Sequence, residues 1–170
     1  MVYDTRTIVK GQGKIFFALA GKYRNGALFI EEAYQKGVRF FVVSQLPDSV
    51  HSDAIYLKVK DPLKALMTLA KWHRGNFNIP IVAVIGTHGK TTIKEWLGSL
   101  LKRKYKLVKS PKSYNSKLGL ALSILGLHSS ADIGLFELSI SLPTEGELFN
   151  EILAPTHVIV GSIGGKFDEN

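Results

Sequence analysis

The sequence predicts an α/β protein, with a small α/β head followed by part of a parallel-sheet domain built on a phosphate loop. Three observations predict this. Short apolar, β-rich runs alternate with stretches of helical periodicity along the chain, the pattern of parallel strands joined by crossover helices. The stretch Gly75-Asn76-Phe77-Asn78-Ile79-Pro80 interrupts that alternation as a linker would, dividing a head at 1–76 from a second domain at 77–170. Directly after it, the apolar run IVAVIG (81–86) leads into a glycine-bounded turn carrying a lysine and two threonines.

The elements follow in order. IFFALA (15–20) reads as a strand and GALFIEEAYQKG (26–37) as a short helix ended by Gly37. VRFFVVS (38–44) and IYLKV (55–59) are further strands. Asp61-Pro62 has the form of an N-cap followed by proline at the first helical position. Leu63, Leu66, Met67 and Ala70 then repeat at the spacing of one buried helix face. IVAVIG is continuously apolar, as in a strand buried on both faces of a parallel sheet. A helix from about 90 to 103, the strand YKLV (105–108), a helix at 117–126, the strand IGLFELS (133–139), a helix at 144–153 and the strand HVIVGSI (157–163) complete the reading.

Composition bounds the function. The chain has 170 residues, 45% of them hydrophobic and 21% charged, enough apolar mass to offset chain entropy and exclude a disordered chain. With no cysteine, disulfide frameworks, thiolate-bound zinc and thiol catalysis are excluded, and a reducing compartment is consistent. No apolar run approaches the roughly 20 residues of a membrane span, and MVYDTRT lacks the apolar core of a secretory signal. A cytoplasmic protein without a membrane partner is therefore expected. The five histidines show no metal-ligand spacing, and His51, His73, His128 and His157 read as surface or packing residues.

The net charge of +8 is uneven. Residues 81–131 carry 9 basic side chains and 1 acidic one, whereas 132–170 carry 1 basic and 7 acidic. A basic middle suits an anionic partner such as nucleotide phosphates. LLKRKYKLVKSPK (100–112) reads equally as a solvated helix end and loop. Nucleic acid is not the expected partner, since only Tyr105 and Tyr114 interleave with these charges and no RNA-binding motif appears.

The turn Gly86-Thr87-His88-Gly89-Lys90-Thr91-Thr92 carries the chemistry. Gly86 and Gly89 let the backbone curl so that amides face phosphate oxygens. The following helix N-terminus adds partial positive charge and free donors. Lys90 is placed to reach the β- and γ-phosphates, and the Thr91 hydroxyl to ligate Mg²⁺. The common P-loop has a glycine where this chain has Val84, so the match is to a shorter variant. His88 is expected to face outward. Glu137, late in its strand, either helps hold Mg²⁺ or merely reaches solvent.

These segments together resemble the Mur ligases, which build the peptidoglycan precursor by ATP-driven amide formation. GTHGKTT (86–92) is similar to the family's ATP loop, FELSIS (136–141) to the segment bearing its magnesium glutamate, and SYNSKLGLALSIL (113–125) to its asparagine-containing segment, with Asn115 at the matching position. Asp4-Thr5-Arg6, FFALAG (16–21), Asn25-Gly26 and Phe29 resemble the uridine-nucleotide-binding head of the members that add the third residue or the terminal D-Ala-D-Ala. SPKSYNS and FELSIS are most like the D-Ala-D-Ala-adding branch, including forms fused to an alanine racemase.

The resemblance implies ATP and Mg²⁺ as cofactors. It implies UDP-N-acetylmuramoyl-tripeptide and D-Ala-D-Ala as substrates, joined through an acyl phosphate. It implies catalytic roles for Lys90 and Glu137, nucleotide contacts from Gly86 to Thr92 and from Asn115, metal ligation by Thr91 and Glu137, and binding of the uridine diphosphate by Thr5 and Arg6. GSIGGKFDEN (161–170) is similar to a family segment in which Ser162 replaces the usual asparagine and Phe167 a histidine that ligates a second Mg²⁺. The remainder of the same polypeptide is an expected partner, and the chain alone is not expected to turn over. The alternatives are a non-catalytic nucleotide-binding module of the same fold, or a ligase adding an earlier residue.

Overall fold

A computed structural model describes residues 1–21, 25–140 and 143–162. The chain forms two compact units, Met1–Leu66 and Met67–Asn170.

In the first unit, Asp4 caps a short 3-10 turn, Thr5–Thr7, by accepting the Arg6 amide. Strands β1 (Ile15–Phe17), β2 (Phe40–Val43) and β3 (Ile55–Lys58) form a parallel sheet in the order β1-β2-β3. Alternation along these strands sends Phe16 and Phe41 into the core, where their ring centroids lie 6.2 Å apart, edge to face. Val2, Ile8, Ile30, Ala33, Val38 and Val43 close around them. Strand β1 is shorter than its apolar run, because Leu19 donates back to Phe17 O in a tight turn. The expected helix at 26–37 begins as a 3-10 turn, Gly26–Phe29, before becoming α1 (Ile30–Gln35). The Asn25 side chain accepts the Ala27 amide and caps that tighter turn.

Helix α2 (Pro62–Gly75) starts where Asp61 Oδ1 accepts the amides of Leu63 and Lys64. Leu66, Met67 and Ala70 form its buried face. The second unit then follows as β4 (Ile81–Ile85), α3 (Lys90–Leu101), β5 (Leu107–Lys109), α4 (Lys117–Ile124), β6 (Ile133–Glu137), α5 (Pro143–Leu153) and β7 (His157–Val160). Its sheet is parallel throughout, with order β5-β6-β4-β7. Leu135 and Phe136 are successive residues with opposite facing, and both are fully buried, so both faces of this sheet are covered. Strand β5 begins two residues later than its sequence suggests. Tyr105 still donates to Leu101 O at the end of α3, and the Lys106 amide donates to the Asp132 carboxylate.

Arg74 ties α2 to the end of α5. Its Nε donates to Leu153 O at 2.8 Å, Nη2 to Ala154 O at 3.1 Å and Nη1 to Phe77 O at 2.6 Å. Ala154 is left-handed at φ 44°, so the arginine satisfies carbonyls freed where that helix stops. Among the described residues, no helix is long and apolar enough to cross a membrane.

Candidate functional site

The strand order builds the site. β4 is flanked by β6 on one side and β7 on the other, and the parallel register sets Val84 beside Glu137. The carboxylate at the end of β6 therefore stands at the base of the turn that leaves β4. Crevices at strand carboxyl ends, where the chain departs to opposite sides, are where open α/β sheets receive ligands.

The turn has the backbone its glycines permit. Gly86 has φ 137°, and a Cβ there would lie 3.1 Å from Ser162 O. Gly89 has φ 78° and caps α3 without a side chain. The intrahelical ladder starts with Ile93 N donating to Gly89 O, so the amides of Lys90, Thr91 and Thr92 precede it, as donors at a helix N-terminus do. The Thr87 amide is engaged differently, donating to Ser162 O at 2.8 Å, and its Oγ1 donates to the same carbonyl at 2.8 Å. Ser162 thus holds the outer limb of the turn through its backbone. His88 is exposed, with Nδ1 3.2 Å from Thr87 Oγ1.

Lys90 Nζ lies over the turn, donating to Gly86 O at 2.7 Å and Thr87 O at 3.2 Å. Thr91 Oγ1 donates to Glu137 Oε2 at 2.9 Å, and Asn115 Nδ2 to Glu137 Oε1 at 3.0 Å. Glu137 is only 1% exposed, so the second reading of this residue, a strand-end carboxylate reaching solvent, is corrected. Its oxygens are met by the side chains of Thr91, Asn115 and Lys94. The structure thus brings Gly86, Thr87, His88, Gly89, Lys90, Thr91, Asn115 and Glu137 into one site. Thr92 follows in the first turn of α3 and is exposed.

Two residues at this site carry no signal in the motif. Lys94, one turn beyond Lys90, is fully buried, with Nζ 3.4 Å from Glu137 Oε2 and 3.1 Å from Ser110 O. Ser110 Oγ accepts the Glu137 amide at 2.9 Å. A helical period from Lys90 would have shown that Lys94 shares its face, but nothing local marks a lysine as buried.

Thr5 and Arg6 stand in the 3-10 turn of the first unit. Thr5 is buried, and its hydroxyl donates to Glu32 Oε2 at 2.8 Å. Arg6 is exposed and forks onto the Asp4 carboxylate, with Nη2 2.5 Å from Oδ2. That hydrogen bonding raises the Arg6 pKa and keeps its charge. Phe167 lies outside the described residues.

The geometry is that of an α/β domain in which a basic loop leaves a parallel sheet, with a threonine and a buried carboxylate facing each other at its foot. Comparison with known proteins gives the class. Residues 84–166 match the Mur ligase middle domain. Over 171 aligned residues it is 30% identical to the UDP-N-acetylmuramoyl-tripeptide–D-alanyl-D-alanine ligase of Treponema pallidum, covering 95% of this chain and 37% of that one. It superposes on the MurF ligase of Thermotoga maritima solved in complex with ADP with a TM-score of 0.84 and 32% identity, covering 97% of this chain and 38% of that one. MurF from Acinetobacter baumannii gives a TM-score of 0.85 and 26% identity, covering 94% of this chain and 34% of that one. The chain therefore spans about a third of the length of these relatives.

Proposed function

We propose that the chain supplies the nucleotide-handling and precursor-binding parts of an ATP-dependent ligase joining D-Ala-D-Ala to UDP-N-acetylmuramoyl-tripeptide. The contact between Thr91 and Glu137 carries the reading, because it sets a hydroxyl and a carboxylate together beside a helix N-terminus. Mg²⁺ favours oxygen ligands and is commonly held by one or two carboxylates together with substrate phosphates. The donor set present fits such an ion. When bound, the ion would neutralise charge on the phosphate oxygens.

The residues divide the work. Amides of Lys90, Thr91 and Thr92, which precede the ladder of α3, face the phosphates, while that of Thr87 stays on Ser162 O. Lys90 exchanges its two carbonyl partners for phosphate oxygens, placing a cation where negative charge develops. Thr91 and Glu137 hold the metal, and Asn115 fixes the orientation of Glu137. Thr5 and Arg6 hold the uridine diphosphate, with Arg6 supplying the charge-assisted contact.

In the reaction, the terminal carboxylate of the tripeptide attacks the γ-phosphorus and ADP leaves, giving an acyl phosphate. The D-Ala-D-Ala amine then attacks the acyl carbon. Phosphate leaves, the amine proton is lost, and an amide remains. This chemistry belongs to the cytoplasm, where both ATP and the nucleotide-linked precursor are found.

Calorimetric titration with Mg-ATP and with the uridine-linked precursor tests the reading on the wild-type chain and on Lys90→Ala. Two independent binding events are expected, with only the ATP event weakened in the variant. Absence of ATP binding by the wild type would overturn the proposal.

A further inference from the structure

Lys94 has no place in the loop motif, yet it is the most deeply buried charge at the site, with 0% of its side chain exposed. An ammonium ion removed from water is strongly disfavoured unless its donors are satisfied and its charge is compensated. The nearest partners of this one lie on the elements that build the site. Nζ donates to Ser110 O and to Lys112 O in the loop between β5 and α4, and it pairs with Glu137 Oε2 at 3.4 Å. Glu95 Oε1 is a more distant contact at 3.5 Å. The tethered loop also carries Asn115, which donates to the other oxygen of Glu137. It is held with Lys112 in the left-handed region at φ 47°. Asn115 on Oε1, with Thr91 and Lys94 on Oε2, thus holds the carboxylate in one orientation.

We infer that Lys94 is a positioning residue for metal-dependent nucleotide binding: it fixes Glu137 and the Asn115 loop so that a divalent cation meets a preset carboxylate beside Thr91. The inference rests on the assignment of Thr91 and Glu137 to Mg²⁺ made above. A methionine would fill the same volume without the charge, leaving Glu137 buried with one partner fewer and the loop untethered.

The test measures ATP affinity by calorimetry in excess Mg²⁺ and in EDTA, for wild type, Lys94→Met, Glu137→Gln and the double variant. Lys94→Met is expected to lose tenfold or more of the affinity that Mg²⁺ adds, with the loss confined to that metal-dependent part. The double variant is expected to be no weaker than Glu137→Gln alone, because Lys94 acts through that carboxylate. Losses that multiply in the double variant would make Lys94 a general framework residue and overturn the inference. So would a Lys94→Met chain that keeps the full Mg²⁺ effect.

If Lys94→Met fails to fold, the double variant decides by its thermal transition. Recovery of that transition once the carboxylate is neutral supports the pairing, and no recovery overturns it. A wild type that binds ATP equally with and without Mg²⁺ fails the Thr91–Glu137 assignment itself. That result differs from a wild type with the linkage and a Lys94→Met variant that retains it.

Discussion

Thr91 Oγ1 and Glu137 Oε2 meet at 2.9 Å, joining the first turn of α3 to the last residue of β6. Parallel pairing of β4 with β6 produces the meeting, because it sets Glu137 level with Val84, two residues before the turn begins. Shifting β6 by one residue would point this side chain to the opposite face of the sheet. The contact is thus a property of the register.

Lys90→Ala removes the cation that lies over the turn. A hydrogen bond to a charged group contributes about 1.5–3 kcal/mol, so ATP affinity should fall roughly 10- to 150-fold. The melting temperature without nucleotide should change little, since Lys90 is only half-buried and bonds to carbonyls of its own turn. Calorimetry and a thermal melt check the two halves separately.

The two loop glycines should differ in their response to alanine. At Gly86 the backbone conformation is strained for any side chain, and the new Cβ would also press on Ser162 O. At Gly89 the conformation is left-handed, but a Cβ meets nothing within 4 Å. Gly89→Ala should cost about 1–2 kcal/mol of stability, and Gly86→Ala more, about 2–3 kcal/mol. Urea midpoints for the two variants give the order, and equal midpoints would contradict it.

Arg74→Met should destabilise the second unit by about 2 kcal/mol, since it strips donors from Leu153 O and Ala154 O at the end of α5 and from Phe77 O just after α2. Lys71→Met is the contrasting case. Its pair with Glu151 is half exposed, at 50% and 61% of the two side chains, and the cost should stay within about 0.5 kcal/mol. Chemical denaturation followed by a probe in the second unit separates the two.

Glu32 governs an acid response in the first unit. Hydrogen bonds from Lys36 and Thr5 hold its carboxyl below the ordinary value of 4.5. A depressed folded-state pKa contributes stability that is fully present above the unfolded value and lost as pH falls through the folded one. Wild type should therefore exceed Glu32→Gln in stability above pH 4.5, with the gap closing below it. Denaturation midpoints across that range test the sign.

Much of the second unit is legible in its residues. IVAVIG reads as a buried strand and folds as β4, and the Gly-rich turn with Lys90 and two threonines opens α3 where the motif requires it. Asp61-Pro62 starts α2 through a local cap. Such signals are local, since a cap, a helical period or a glycine conformation involves residues within one or two turns. The 3-10 start at Gly26–Phe29 was less legible, because the choice between two tight helical forms depends on how the chain leaves β1.

Glu137 shows the limit most clearly. By sequence it is one acidic residue late in an apolar strand, open to two readings, and Lys94 is one more lysine in a basic stretch. The alternation of strands and helices, the glycine-bounded turn and the helix caps are all written locally, because each depends on neighbouring residues. Tertiary structure alone decided the order β5-β6-β4-β7, and with it the burial of Lys94 and Glu137 against each other. That outcome depends on which strands pair and in what register, and those contacts form between residues too far apart in the chain for any local pattern to encode.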